Sequence, residues 1–127
     1  MGLDIKITEE GYGGRRVSLR GRLDTETAPT LDERLEPLLA SPSVTAALFD
    51  LAGLEYIGSA GIRVLIRARK VLEARGGGVA VARLQPAVRQ VLDIVKALPS
   101  TDVFATDAEL DAFLDTMRRR PHAGGAA

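Results

Sequence analysis

The sequence feature that most constrains the fold is a nearly continuous apolar run, Val-Thr-Ala-Ala-Leu-Phe-Asp-Leu, at residues 44–51. A strand with one face in water alternates apolar and polar side chains, and this run does not alternate. Segments with a helical repeat of apolar residues precede and follow it. A continuous apolar strand between two helices is typical of a parallel sheet that is buried on both faces. The run therefore predicts an α/β fold with this strand at its centre.

The residues before the first helix predict an antiparallel hairpin. Leu3, Ile5 and Ile7 alternate with polar residues, and Val17 and Leu19 do the same. The glycine-rich segment between the two runs is a turn signal. The hairpin makes the predicted sheet mixed.

The remaining segments predict further helices and short strands. Apolar residues recur at three- and four-residue steps at about 28–39, 59–75, 86–98 and 107–117, and short apolar runs lie at 79–84 and 103–105. Pro37 is expected to kink or shorten the first helix, because it has no N–H and crowds the preceding turn. The prediction is an α/β fold with a mixed, mainly parallel central sheet of four to five strands and about four helices. Residues 1–117 are expected to form one domain, and residues 118–127 a disordered C-terminal tail.

The composition argues against several kinds of chemistry. The 127 residues include 17 Lys+Arg and 17 Asp+Glu, so the whole chain has no basic field for nucleic acid. There is no cysteine, and the single histidine, His122, lies in the predicted tail. Thiolate nucleophiles, catalytic triads and His or Cys metal sites therefore have nothing to form from. We predict no enzymatic activity, no metal and no cofactor.

The N-terminus and the hydropathy pattern bear on location. The first residues show no signal-peptide pattern. No apolar run approaches the length of about 20 residues that crosses a bilayer. A soluble, cytoplasmic protein is expected.

Chain topology predicts where a partner binds. Right-handed crossovers place the strand-to-helix loops of a parallel sheet at one edge. These loops lie around Asp24–Thr25, Leu54–Ser59 and Gln85–Pro86. Ligands and partners of open α/β sheets usually meet that edge.

The most distinctive segment is residues 50–62, Asp-Leu-Ala-Gly-Leu-Glu-Tyr-Ile-Gly-Ser-Ala-Gly-Ile. It predicts a strand end, a loop from Ala52 to Gly58, and a helix whose N-cap is Ser59. Free N–H groups and the positive end of the helix dipole would partly stabilise a phosphate on this serine. Arg63, one turn further on, is placed to pair with it.

This segment resembles the signature of STAS-domain anti-sigma factor antagonists. The resemblance is carried by Asp50-Leu51-Ala52-Gly53-Leu54, Tyr56-Ile57, Ser59 and Gly61-Ile62, with Gly21, Leu23 and Asp24 resembling an earlier family motif. It covers about residues 3–117 and implies the STAS fold. In that family the unphosphorylated antagonist binds an anti-sigma factor that is also a serine kinase with an ATPase fold, and the sigma factor is released.

The resemblance also implies how the complex is controlled. The kinase phosphorylates a serine of the antagonist, the complex dissociates, and a serine/threonine protein phosphatase restores the antagonist. Carried onto this sequence, the phosphorylated serine is Ser59, and Asp24 is the acidic residue in the neighbouring loop. Asp24 is equally consistent with a helix cap, and Asp50 is interpreted as structural.

The sequence departs from the family at two positions. Members often have an acidic residue before the serine and a hydroxyl residue after it, where this chain has Gly58 and Ala60. The first change removes a charge that a kinase or phosphatase reads. The second leaves Ser59 as the one phosphate acceptor in the turn.

A mixed apolar and basic patch beside Ser59 is the predicted docking surface. Ile62 and Ile66 are expected to be incompletely covered, and they border the basic helix face of Arg63, Arg67 and Lys70. The predicted partner-binding residues are Asp24, Thr25, Gly58, Ser59, Ala60, Gly61, Ile62, Arg63, Ile66 and Arg67.

Two other functions remain open from the sequence. A structural STAS subunit of a stress-signalling scaffold or a lipid-transport assembly would dock a constant partner at the same edge and would not be phosphorylated. A small-molecule or nucleotide sensor would use a pocket at the sheet edge.

Overall fold

The computed structural model describes residues 2–11, 13–95 and 102–104. The predicted fourth helix and the predicted tail at 118–127 lie outside these residues. Within them the chain forms β1 (Leu3–Glu9), β2 (Gly14–Leu23), α1 (Ala28–Ala40), β3 (Ala46–Ile57), α2 (Ser59–Glu73), β4 (Gly78–Ala82), α3 (Pro86–Val95) and β5 (Asp102–Phe104).

The strands form one sheet in the order β1-β2-β3-β4-β5. β1 is antiparallel to β2, and every following pair is parallel. This confirms the predicted hairpin, the mainly parallel sheet and the short last strand. Each crossover steps in the same direction along the sheet, so right-handed connections place α1, α2 and α3 on the same face.

The core lies between that face and the three helices. Val17, Phe49 and Val81 are adjacent in the strand register and fully buried. The helices cover them with the apolar side chains Leu31, Leu35, Leu65, Leu72 and Val88. Most of the apolar run at 44–51 therefore belongs to β3, the central strand, as predicted.

β3 is longer than the sequence predicts. The predicted loop from Ala52 to Gly58 is wrong, because β3 continues to Ile57. Its second half pairs with the end of β2, with register irregularities between Ser18 and Arg20 and between Gly21 and Arg22. These irregularities let the two strands stay paired up to the edge where α2 begins.

One of the two effects predicted for Pro37, a shortened helix, is wrong. α1 is not shortened: it continues through Pro37 to Ala40. Pro37 and Glu33, whose carbonyl loses its helical partner, both lie on the exposed side of α1. A carbonyl on that side is hydrated by solvent, so the missing hydrogen bond is tolerated.

One helix and one strand end slightly earlier than the sequence predicts. α2 ends at Glu73 and β4 at Ala82. β4 stops where Arg83 takes a φ of 60°, which is incompatible with an extended strand. Within the described ranges, no helix combines the length and the apolar composition that a bilayer-spanning segment needs.

Candidate functional site

Two of the predicted loops meet at the carboxyl ends of β2 and β3, and the third lies beside Ala52 within β3. Leu23 and Ile57 are register partners, and the Gly58 N–H donates to the Leu23 carbonyl at 2.9 Å. From the third loop, Gln85 donates through Nε2 to the Ala52 carbonyl at 2.8 Å. The three loops therefore share one edge of the sheet.

Ser59 lies at this edge as the first residue of α2. The residue that precedes the helix is Gly58, whose carbonyl accepts from the Ile62 N–H at 3.0 Å. The prediction that Ser59 is the N-cap is therefore wrong. The Ser59 side chain is exposed, and its hydroxyl makes no hydrogen bond with any other described residue. It is available to another molecule.

Gly61 fixes the start of α2 against the sheet. A Cβ at this position would lie 2.7 Å from Cδ2 of Leu23 and 3.2 Å from Cγ1 of Ile57. Only glycine permits so close an approach of the helix to the strand ends. Gly61 is buried, so it positions the neighbouring Ser59 and does not itself offer a side chain to a partner.

Asp24 closes the turn that leads from β2 to α1. Its Oδ1 accepts from the N–H groups of Glu26 at 3.0 Å and Thr27 at 3.1 Å. Partial burial raises the pKa of Asp24. The opposing effects are larger, so the pKa lies below its ordinary value: they come from these backbone hydrogen bonds, the Thr27 hydroxyl and the charge of Arg22. Asp24 is therefore held as a carboxylate at the edge, with Thr25 exposed beside it.

Arg22 and Tyr56 form a stacked pair that sequence reasoning missed. The Arg22 guanidinium carbon lies 4.3 Å from the centroid of the Tyr56 ring. In the described part of the chain Tyr56 is the one exposed large hydrophobic residue, at 41% exposure. Its hydroxyl is 3.2 Å from the place that a Cβ of Gly58 would take. The available signal was that Tyr56 lies within the distinctive segment at 50–62 and that Arg22 lies between Gly21 and Leu23 of the earlier family motif.

The predicted docking patch is smaller than expected. Ile62 is buried, with 9% exposure, so the prediction that it is incompletely covered is wrong. It packs into the core with the rest of the buried side of α2. Ile66 is partly buried, whereas Arg63 is exposed, as is its neighbour on the same face, Lys70.

Arg67 is exposed but already paired. Its guanidinium donates to Asp32 at 3.0 Å and to Glu36 at 3.1 Å, both on α1. The pKa of Arg67 is raised above its ordinary value by the hydrogen bonds and charges of Glu36 and Asp32, with Glu36 contributing most. Slight burial acts in the opposite direction. The positive charge of Arg67 is thus directed at α1, and Arg63 is left as the basic residue nearest Ser59 on α2.

Asp50 organises the β3 segment that leads to the site. Its Oδ2 accepts from Arg16 at 2.8 Å and from Arg83 at 2.7 Å, and its Oδ1 accepts from the Ala52 N–H at 3.2 Å. Burial raises the pKa of Asp50, but the Arg16 hydrogen bond, the Ala52 N–H and the two arginine charges bring it below its ordinary value. This agrees with the structural role expected from the sequence.

The edge carries an exposed hydroxyl and charged side chains. No group of three or more His, Cys, Asp or Glu side chains suited to a metal ion occurs among residues 2–11, 13–95 and 102–104. What the edge offers is one exposed hydroxyl at a helix N-terminus, flanked by Arg22, Asp24, Tyr56 and Arg63. We call these residues, with Ser59, the Ser59 surface.

Comparison with known proteins identifies the family. The STAS domain model matches residues 7–110. An anti-sigma F factor antagonist of Paenibacillus polymyxa is 27% identical over 105 residues, covering 80% of this chain and 89% of the relative. BtrV of Bordetella bronchiseptica, also named as an anti-sigma factor antagonist, is 31% identical over 91 residues, covering 71% of this chain and 78% of the relative.

A solved structure agrees with the fold. The anti-sigma factor antagonist SpoIIAA in its unphosphorylated form superposes with a TM-score of 0.75 at 19% identity, over 88% of this chain and 96% of that one. This chain therefore has the fold of that protein. The STAS domain model matches most of its sequence. The chain belongs to the STAS domain family.

Proposed function

We propose that this protein is an anti-sigma factor antagonist whose binding is switched off by phosphorylation of Ser59. In the unphosphorylated state it binds an anti-sigma factor that is also a serine kinase, and the bound sigma factor is released. A serine/threonine protein phosphatase returns it to the binding state. Family membership and the names of the two relatives support the class of function.

The observation that carries the proposal is the state of the Ser59 hydroxyl. It is exposed, it has no hydrogen-bond partner among the described residues, and it sits on a helix start that Gly61 packs tightly against Leu23. A serine that served only to cap the helix would use its oxygen to accept a backbone N–H. Ser59 does not, so its hydroxyl can enter the active site of a kinase without breaking an internal bond.

The chemical step is an ordinary phosphoryl transfer from ATP held by the kinase. The Ser59 oxygen forms a bond to the γ-phosphorus as the bond to the ADP oxygen breaks, and the hydroxyl proton passes to a base of the kinase. The product carries a charge of about −1.5 to −2 at position 59. The N–H groups of the first helical turn, which have no carbonyl partner in the helix, favour a negative group there.

The same charge explains the loss of binding. A partner that fits closely over the Ser59 surface must exclude water from it, and a phosphate is costly to desolvate without new partners. The proposed contact residues remain those predicted from the sequence, centred on Asp24, Thr25, Ala60, Arg63 and Ile66. Ile62 and Gly61 contribute from beneath, and Arg67 lies at the margin because it is bound to α1.

The test is a paired capture from native lysate with immobilised wild-type protein and the variants Ser59→Asp and Ser59→Ala. Ser43→Asp is the matched control, since it places the same charge on an exposed serine in the loop between α1 and β3. We expect wild type, Ser59→Ala and Ser43→Asp to retain a kinase-type anti-sigma factor. Ser59→Asp should lose it by at least about tenfold, or about 1.4 kcal/mol.

The contrary result is equally clear. If Ser59→Asp retains the same partner as wild type, the switch does not exist. A constant partner indifferent to charge at position 59 would instead identify a structural STAS subunit.

A further inference from the structure

The Arg22–Tyr56 stack is held by weak contacts. The arginine lies over an exposed ring at 4.3 Å, and an exposed cation–π contact of this kind is among the weaker side-chain interactions. Within the described part of the chain, Arg22 forms an ion pair with Asp24, at 3.9 Å between Nε and Oδ2. That distance is beyond a hydrogen bond, and more than half of the Arg22 side chain is exposed.

Arg22 also lies near Ser59, because the paired ends of β2 and β3 bring the two segments together. The hydrogen bond from Gly58 to Leu23 joins the two strands one residue from Ser59 and one residue from Arg22. Neighbouring strands lie about 4.8 Å apart, which an arginine side chain spans. Gly58 places no side chain between them, and the ring that Arg22 covers ends beside Gly58.

We propose that Arg22 receives the phosphate of Ser59 and leaves the Tyr56 ring when it does so. This inference rests on the proposed function, because it takes Ser59 as the phosphorylated residue. A guanidinium binds a phosphate through two parallel, charge-assisted hydrogen bonds, which are stronger than either of its present contacts. Phosphorylation thus adds charge to the Ser59 surface and also separates the Arg22 guanidinium from the Tyr56 ring.

Arg63 is the other cation within reach, one helical turn after Ser59. It is exposed and is itself free to approach the phosphate. The cation stacked on Tyr56 is Arg22, so pairing of the phosphate with Arg63 alone would leave the stack in place. The two arginines are therefore distinguished by what happens to the ring.

The test uses the full chain with phosphoserine inserted at position 59 during translation. The second ionisation of the phosphate is followed by ³¹P NMR, and the tyrosine rings by NMR of ¹³C-labelled tyrosine. The chain contains two tyrosines, so Tyr12→Phe assigns the Tyr56 signal. The variants are Arg22→Gln, Arg63→Gln and, as a control on an exposed arginine of α1, Arg34→Gln.

We expect the phosphate pKa to lie below the value of about 6 for an unpaired phosphoserine. Arg22→Gln should make the acid dissociation constant about threefold smaller, and Arg34→Gln should not change it. Phosphorylation should move the Tyr56 ring signals in the wild-type and Arg63→Gln backgrounds. A change in ring signals that arises only from loss of structure would appear without the phosphate as well.

The proposal is wrong if Arg22→Gln leaves the phosphate ionisation unchanged, or if the wild-type Tyr56 signals do not respond to phosphorylation. Because phosphoserine is incorporated during translation, neither measurement requires a kinase. Arg22→Gln could change the phosphate ionisation while Ser59→Asp still captures the same partner as wild type. In that case the proposed function is wrong and the contact between Arg22 and the phosphate stands.

Discussion

Leu23 and Gly61 pack so closely that a methyl group added at position 61 would lie 2.7 Å from the Cδ2 atom of Leu23. Leu23 is fully buried among the core side chains, so its side chain can move only if its neighbours shift as well. This contact determines how near the first turn of α2 comes to the end of β2. It therefore determines where Ser59 is held.

Gly61→Ala should lower the free energy of unfolding by about 1–2 kcal/mol. Overpacking a filled site costs about 1–3 kcal/mol, and the better helix propensity of alanine offsets up to about 1 kcal/mol of that. Urea unfolding followed by circular dichroism measures the change. Gly78→Ala is the control, since a Cβ there meets nothing within 4 Å. Equal effects of the two substitutions would contradict the close-packing role of Gly61.

Arg75 should be a major contributor to the stability of the α1–β3 connection. Its Nη1 donates to the carbonyls of Ser41 at 2.9 Å and Val44 at 2.8 Å, and its Nη2 donates to the carbonyl of Leu39. Arg75→Ala removes the side-chain donor from the Leu39 and Val44 carbonyls, whereas the Ser41 carbonyl keeps the Val44 N–H at 3.1 Å. The expected cost is about 2 kcal/mol. Arg75→Lys should restore less than half of the loss, because an ammonium cannot reproduce the planar fork.

Arg34→Ala provides the comparison for Arg75. Arg34 makes a single exposed hydrogen bond of 3.4 Å to the Ile5 carbonyl. Its replacement should change the urea midpoint little. A full rescue by Arg75→Lys would show that only the charge at position 75 matters.

Asp50 should make stability depend on pH in the acid range. Its folded pKa lies below the unfolded value of about 3.9, so its charged form stabilises the fold above that pH. The contribution is lost as the pH falls through the folded pKa. Asp50→Asn should cost about 1–3 kcal/mol at neutral pH, because Arg16 and Arg83 lose their shared carboxylate.

The pH dependence separates this charge effect from lost packing. Urea unfolding of wild type and Asp50→Asn should show a gap at about pH 7 that narrows below about pH 4. A gap of constant size across that range would mean that the carboxylate charge is not the source of the stabilisation.

The sheet and the helices were predictable because their signals are local. The apolar run at 44–51 and the helical repeat from Ser59 each specify an element from neighbouring residues. The end of β3 was not predictable in this way. Residues 52–56 contain a glycine and exposed polar side chains, and they form a strand only because the end of β2 pairs with them through an irregular register.

The site shows the same division between local and long-range causes. Ser59 and Asp24 were placed at one edge correctly, since loop positions follow from topology. The Arg22–Tyr56 stack depends on the strand register beyond Gly21, where it shifts. The pairing of Arg67 with Asp32 and Glu36 depends on how α1 and α2 pack. Neither contact has a signature in the sequence of a single element.

Ser59→Ala should leave stability nearly unchanged, and this distinguishes a contact residue from a helix cap. Loss of a capping hydroxyl costs about 1 kcal/mol, whereas loss of an exposed hydroxyl without partners should cost less than about 0.5 kcal/mol. Thr27→Ala is the matched hydroxyl control. Thr27 donates through Oγ1 to the Arg22 carbonyl at 2.8 Å and accepts from the Asp24 N–H at 2.9 Å, so its loss should cost about 1 kcal/mol. If Ser59→Ala destabilises the protein as much as Thr27→Ala in urea unfolding, Ser59 caps α2 in solution and its hydroxyl is not free.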